Sequence, residues 1–187
     1  MIRAFDPVEP VQASLLILGS MPGVASLNAN HYYAHPRNAF WPIMQHLFGR
    51  QWENYDAGIA LLKHHQVALW DVLRECRRPG SLDAHIIKDS VVVNDFTGFL
   101  QRHPALTTIA FNGKAAEKLF RQHVVKPAKE PLLSRLNNLS LLSLPSSSPA
   151  MASLSLDAKK ATWEQLLAPA LMPVRTPAPK KRKQCVE

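Results

Sequence analysis

The sequence predicts an α/β fold: a three-layer α/β/α sandwich around a central, mostly parallel four-stranded sheet. Two observations predict it. Four short apolar runs lack the in-and-out alternation of a half-exposed strand, as strands covered on both faces do. Helical spacings of apolar residues lie between those runs, and strands alternating with helices wind a parallel sheet. A length of 187 residues and a 47% hydrophobic content suit one domain with a sizeable core.

The elements follow in order. Ser14 to Gly19 (SLLILG) is the first expected strand. Asn38 to Phe48 places Phe40, Ile43, Met44 and Leu47 at helical spacing, and Asp56 to His65 does the same with Ile59, Leu61 and Leu62. His64 and His65 belong on that helix surface or at its end. Val67 to Leu73 (VALWDVL) is the second strand and Thr107 to Phe111 (TTIAF) the third. Gly113 to Gln122 opens into an amphipathic helix, and Leu139 to Leu144 (LSLLSL) is the fourth strand. Asp157 to Leu167 closes the domain as a helix, with Asp157 the expected N-cap and Lys159 and Lys160 on the exposed side. Residues 1–172 form the expected domain. Residues 173–187 hold Arg175, Lys180, Lys181, Arg182 and Lys183 against Glu187 among prolines. Such a segment buries too little apolar surface to order itself and reads as a flexible basic tail. A nuclear-localisation signal is the weaker alternative for KKRK.

The formal net charge is +8, shared between body and tail, which favours a polyanionic partner. The longest apolar runs, Leu15 to Leu18 and Val67 to Trp70, are far too short for a bilayer, and the N-terminus lacks the order of a signal peptide. The expected location is therefore intracellular: cytoplasmic and nucleoid-associated, or nuclear in a eukaryote. A monomer is expected. Cys76 and Cys185 are the two cysteines, too few for an iron–sulfur cluster, and Cys185 lies in the polar tail, away from any structural disulfide. His31 and His35 precede a proline without a carboxylate or thiol at ligand spacing, so no metal is expected. No cofactor is expected.

In an open parallel sheet, ligands bind beyond the carboxyl ends of the strands. Three such ends are rich in polar and turn residues. Gly19-Ser20-Met21-Pro22-Gly23 follows the first strand, and the loop beyond it ends in HYYAHPRNAFW from His31 to Trp41. Asn112-Gly113-Lys114 follows the third strand. Pro145-Ser146-Ser147-Ser148-Pro149-Ala150-Met151 follows the fourth. These parts suit an enzyme that extrudes a base from nucleic acid into a pocket. Tyr32 or Tyr33 supplies an aromatic face, and Asn38 or Asn112 an amide for the base edge. The serine triplet and Gly113, opening a helix, suit phosphates. Ala150 or Met151 suits a wedge in the vacated stack. No Gly-x-Ser-x-Gly elbow is present, so a serine hydrolase ranks last.

Taken together, GSMPG, HYYAHPRNAFW, FNGKAA and LPSSSPA resemble the hypoxanthine-DNA (deoxyinosine) glycosylase branch of the uracil-DNA glycosylase superfamily. WDVL, GSLD and VNDF add to the likeness, which covers roughly residues 10 to 170. The resemblance implies that Asn38 is the important catalytic residue and Tyr33 the base-stacking aromatic. It implies metal-free hydrolysis of the N-glycosidic bond of a deaminated base, most simply hypoxanthine, in double-stranded DNA, with single strands the alternative. The layout is also similar to the mismatch-specific uracil/thymine glycosylases. Their first motif positions water with an asparagine where this chain has Met21, whose thioether cannot do so. Their second motif begins with Asn or His where this chain has Ser146. Both departures argue against efficient uracil excision.

The expected catalytic residues are then Asn38, holding water or the base edge, and His35, donating to the leaving purine. The expected base-binding residues are Gly19, Ser20, Met21, Pro22, Gly23, Tyr33, Phe40 and Asn112. The expected DNA contacts are Lys114, Ser146, Ser147, Ser148, Pro149, Ala150 and Met151. No lysine stands out as a Schiff-base nucleophile, so no strand-nicking step is expected. The alternatives are a uracil or mismatch glycosylase and a non-catalytic nucleic-acid-binding α/β module.

Overall fold

A computed structural model describes residues 1–171. The expected basic tail, residues 173–187, lies outside the described residues. In chain order the elements are β1 (Ile2–Arg3), β2 (Leu15–Gly19), α1 (Val24–Ala29), α2 (Phe40–Phe48), α3 (Tyr55–His64), β3 (Val67–Asp71), β4 (Leu73–Cys76) and β5 (Val92–Val93). They continue with α4 (Phe96–Arg102), β6 (Thr108–Asn112), α5 (Lys114–Phe120), α6 (Leu132–Asn137), β7 (Ser140–Leu144) and α7 (Leu156–Leu167).

The four expected strands pair in the order β3-β2-β6-β7, and every pair is parallel. Side chains alternate across this sheet. Leu16, Leu18, Trp70, Ile109 and Phe111 face one layer, which includes Phe96, Phe99 and Phe120. Leu15, Ile17, Leu69 and Ala110 face the other, which includes Phe40, Ile43, Leu62 and Trp163. These two cores make the three-layer sandwich. The register also sets the site. Gly19 pairs with Asp71, Leu18 with Phe111 and Asn112 with Leu144. The carboxyl ends therefore lie level, in the row Asp71, Gly19, Asn112, Leu144.

Several expectations are corrected. The run Val67 to Leu73 is not one strand: β3 ends at Asp71 and the chain re-aims into β4. The Val72 N–H donates to the Gly19 carbonyl at 2.8 Å, and β4 joins β1 and β5 in a small antiparallel sheet that alternation too short to detect had hidden. β7 is an edge strand, so Ser140 and Ser143 are exposed and Leu141 and Leu142 half-buried, rather than covered on both faces. The segment after Gly23 contains the helix α1. α2 starts at Phe40 rather than Asn38, because the Asn38 Oδ1 accepts from the Phe40 N–H at 3.0 Å and marks the helix start. α5 ends at Phe120 and continues as a wider π-turn over Arg121–Val125. α7 is capped by Ser155, whose hydroxyl accepts from the Ala158 N–H at 3.2 Å, and not by Asp157. Lys159 is buried rather than exposed: its ammonium donates to the Met151 and Ser148 carbonyls at 2.9 and 3.4 Å. His64 and His65 do end α3, and His65 stacks on Phe48 with ring centroids 4.1 Å apart.

Candidate active site

A cavity of about 180 Å³ opens on the row of strand ends. The expected GSMPG segment forms one wall. Arg78, whose side chain is 1% exposed, anchors it from behind. Its guanidinium donates to the Met21 carbonyl at 3.3 Å, to the Pro22 carbonyl, and to Asp83 Oδ1 at 3.3 Å. Asp83 Oδ2 accepts from the Ser20 hydroxyl at 2.8 Å. The Gly19, Ser20 and Gly23 carbonyls accept from the N–H groups of Val72, Leu73 and Leu27. All five carbonyls of the segment are thus turned to protein partners. The N–H groups of Ser20, Met21 and Gly23 find no acceptor among the described residues. A wall with its acceptors occupied and its donors free suits a ligand that offers acceptors. Met21 lines this wall and also packs into the core at 6% exposure.

The HYYAHPRNAFW segment forms the facing wall. Tyr33 takes a left-handed backbone (φ 54°), and its ring stacks on Phe40 with centroids 4.2 Å apart. Phe40 is wholly buried behind Tyr33 and is absent from the cavity wall, so its expected direct contact with a base is corrected to support of the Tyr33 ring. Tyr32 is fixed by its hydroxyl donating to the Asp6 carbonyl at 3.2 Å. The His35 Nδ1 accepts from the Arg37 N–H at 3.1 Å, which puts the proton of the neutral ring on Nε2. Asn38 donates its backbone N–H to the His35 carbonyl at 2.8 Å. Because a backbone donor holds its Oδ1, the Nδ2 amino group is the other end of that amide, and Asn38 lines the cavity. His31 is elsewhere, stacked on Tyr55 with centroids 3.9 Å apart, so the two histidines do not form a pair. Among the described residues no group of three or more His, Cys, Asp or Glu is placed to hold a metal.

The last loop is stitched to the sheet. The Asn112 amide donates to the Ser147 hydroxyl and accepts from the Ser147 N–H, both at 2.8 Å. The Ser147 carbonyl accepts from the Ala39 N–H at 2.9 Å. Ser147 is 0% exposed, so its expected phosphate contact is corrected to a structural role joining β6 to the start of α2. Gly113 (φ 98°) lets the chain pass close by: a methyl there would lie 2.9 Å from the Ser146 Cβ. The Ser146 and Ser148 hydroxyls accept from the N–H groups of Ser148 and Ala150, both at 3.2 Å, and line the cavity with Pro149. Ala150 and Met151 lie beyond the wall, Ala150 exposed and Met151 half-buried. Lys114 is exposed on α5, outside the cavity, beside Lys118, Arg121 and Lys126.

Residues 5–167 match the uracil DNA glycosylase superfamily. The chain belongs to that superfamily. It is 34% identical over 164 residues to a hypoxanthine DNA glycosylase of Methanosarcina acetivorans, which covers 87% of this chain and 95% of that relative. It is 31% identical over 165 residues to a hypoxanthine DNA glycosylase of Methanosarcina barkeri, covering 87% of this chain and 96% of that one. The solution NMR structure of a candidate uracil DNA glycosylase from Methanosarcina acetivorans superposes with a TM-score of 0.71 at 33% identity, over 90% of this chain and 97% of that one. The superfamily fold expected from the motifs is the fold observed, and DNA is the substrate polymer.

In this superfamily member the cavity also holds two carboxylates, Asp71 and Asp83, that lie in the WDVL and GSLD segments but were assigned no role from the sequence. Asp71, at the end of β3, is 3% exposed, and its Oδ2 has no hydrogen-bond partner. Burial pushes its carboxyl up to about 7; Asp83 adds to the rise and Arg78 opposes it. Burial also raises Asp83, against the hydrogen bond from Ser20 and the pull of Arg78. Burial and Asp71 keep the Tyr33 phenol protonated; Asn112 lies close enough to oppose this weakly, without hydrogen-bond geometry to the hydroxyl. Asp71 was detectable, as a lone carboxylate ending the apolar run ALWD at a strand's carboxyl end. Ser81, whose hydroxyl accepts from the Val24 N–H at 2.9 Å, and Asp83 belong to the GSLD segment, whose likeness was visible but whose place beside GSMPG was not; Arg78 reaches the same wall with no sequence signal of its own.

Proposed function

We propose that the chain is a monofunctional DNA glycosylase that hydrolyses the N-glycosidic bond of a deaminated base, hypoxanthine before others. The wall of free N–H groups at Ser20, Met21 and Gly23, opposite the Asn38 amide and His35, carries this reading. The C1′–N9 bond breaks with its electron pair passing to the purine, and a water oxygen adds to C1′. One of the water's protons neutralises the departing base. Preorganised donors stabilise the negative charge that the base gains, the largest single contribution in many enzymes. Asn38 supplies its Nδ2 to the base or water, and His35 its Nε2–H to the leaving purine. Tyr33, braced by Phe40, stacks on the base. Met21 leaves the usual uracil arrangement without its water-holding amide. No lysine lines the cavity among the described residues, which supports hydrolysis without a strand-nicking step. Both Methanosarcina relatives, named hypoxanthine DNA glycosylase, favour the same base.

Duplex DNA lies across the cavity mouth, with Lys114, Ser146, Ser148 and Pro149 along its backbone and Met151 or Ala150 at the vacated stack. The protein acts as a monomer, without a cofactor, inside the cell; no helix of the described residues is long and apolar enough to cross a membrane. Single-turnover incubation with duplexes bearing inosine, xanthine or uracil, followed by alkaline cleavage of abasic sites, tests the assignment. Inosine is expected to be cut fastest. Faster cutting at uracil overturns the choice of base, and salt-sensitive binding without abasic product at any lesion overturns catalysis.

A further inference from the structure

The wall of free N–H groups is held from behind by unequal means. In a trans peptide the C=O and the N–H point to opposite sides. The group that holds a carbonyl therefore sets the aim of the N–H on the same peptide. The Gly19 carbonyl accepts from the Val72 N–H at 2.8 Å, which aims the Ser20 N–H. The Ser20 carbonyl accepts from the Leu73 N–H at 3.1 Å, which aims the Met21 N–H. Both of those holders are backbone. The third peptide, Pro22–Gly23, is held by a side chain. Its carbonyl accepts from Arg78 Nη2, and the Gly23 N–H on its other side finds no acceptor among the described residues.

Arg78 is fixed for that task. Its Nε donates to the Gly80 carbonyl at 3.2 Å, and its Nη1 to the Met21 carbonyl and to Asp83 Oδ1, both at 3.3 Å. With Pro22 these acceptors hold the planar fork on all three nitrogens, which leaves the guanidinium one place to lie. A buried cation needs a partner, and Asp83, itself held by the Ser20 hydroxyl at 2.8 Å, offsets the charge. Arg78 is absent from the cavity wall, so it reaches the reaction only through the peptides it holds.

We propose that Arg78 is a positioning residue of base excision, which fixes the Pro22–Gly23 peptide so that the Gly23 N–H is aimed into the cavity before the substrate arrives. The role rests on the chain being a DNA glycosylase. The same hydrogen bond strengthens the donor, because a cation on the carbonyl oxygen draws electron density from the amide nitrogen. A preorganised donor acts on charge that develops as the glycosidic bond breaks. The proposed phosphate contacts, Lys114, Ser146 and Ser148, lie on other loops. Loss of the fork therefore lowers the maximal rate and leaves duplex affinity in place. Lysine keeps the charge but is a point donor, and cannot span the two carbonyls of the turn.

The test is single-turnover excision from an inosine duplex over a range of enzyme concentration, which separates the maximal rate from the half-saturating concentration. Wild type is compared with Arg78→Lys and with the paired variant Arg78→Met, Asp83→Leu. Arg78→Lys is expected to lose about 100-fold in maximal rate, with half-saturation within about threefold of wild type. In nitrogen-15 amide spectra of the same variant, the Gly23 resonance is expected to move further than those of Ser20 and Met21, whose peptides the backbone holds. A maximal rate within about threefold of wild type, or a loss confined to half-saturation, overturns the role of Arg78. Equal movement of the three amides also overturns it, since general loosening of the wall would move them together. Replacing a buried ion pair by apolar side chains of similar size is often neutral or stabilising. Where circular dichroism shows Arg78→Lys unfolded, the paired variant therefore decides: a slow maximal rate at ordinary half-saturation supports the role, and a wild-type rate overturns it. A wild type that releases its base beside an unaltered Arg78→Lys removes only the role of Arg78. A wild type that releases none from inosine, xanthine or uracil duplexes removes the glycosylase reading and this role together.

Discussion

Asn38 has two duties that chemistry can separate. Its Oδ1 accepts from the Phe40 N–H at 3.0 Å, and the residue lines the cavity, where the proposal uses its Nδ2. Asn38→Asp keeps the acceptor for the Phe40 N–H and removes the amide donor. Its stability should stay within about 0.5 kcal/mol of wild type, while single-turnover excision falls by about 100- to 1,000-fold. Asn38→Ala loses both and should also cost about 1 kcal/mol in a urea melt, the worth of one local hydrogen bond. Equal excision by Asn38→Asp and wild type would remove Asn38 from the chemistry. Asp71 shows the opposite balance, because an unpaired buried carboxyl costs stability. Its proton affinity is raised from 3.8 to about 7 in the folded protein. The folded state therefore binds the extra proton between those values, and the stability it contributes is present below the lower one and lost as pH rises through the upper. Urea midpoints should fall between about pH 5 and pH 8 in wild type, and less steeply in Asp71→Asn. A purely structural Asp71 would instead make Asp71→Asn less stable at every pH.

Elements show where local patterns end. The closing helix α7 was legible from its apolar spacing, yet Ser155 rather than Asp157 caps it, and Lys159 points inward. Nothing in a helical pattern reports that a lysine will meet the Ser148 and Met151 carbonyls. That contact makes α7 the support of the loop after β7, the one proposed to meet DNA. Lys159→Met should leave the Met151 carbonyl without its donor while the Ser148 carbonyl keeps the Met151 N–H, cost about 1–3 kcal/mol, and weaken duplex binding more than it slows the chemical step. Unchanged affinity in a titration would contradict this. β3 teaches the same lesson. Its apolar run was visible, and its early end at Asp71 was not, because beyond it the chain turns to pair with β1 and β5, both distant in sequence. β4, β5 and α4 were unreadable for a related reason: they are short, and their pairing partners are distant in the chain.

The whole molecule is a register that delivers residues to one edge. Parallel pairing brings Asp71, Gly19 and Asn112 level, and three loops named from their motifs then meet around one cavity. The four parallel strands and the convergence of their loops were legible because buried parallel strands and polar strand ends are local signals; the strand order was not. The separate duties of Ser147, Phe40 and Arg78 were not, because hydrogen-bond partners and burial depend on packing between distant segments. Trp163 lies fully buried in the layer beneath Tyr33 and Phe40. Trp163→Ala should cost roughly 3–5 kcal/mol and loosen that support, checked by a urea melt beside excision rates. The most direct measurement is chromatographic identification of the free base released by wild type from an inosine duplex, with the strand assayed for the abasic site left behind. Stoichiometric free hypoxanthine with an intact, alkali-labile strand is the predicted result; a bound but unchanged duplex, or a nicked strand with the base still attached, would contradict it.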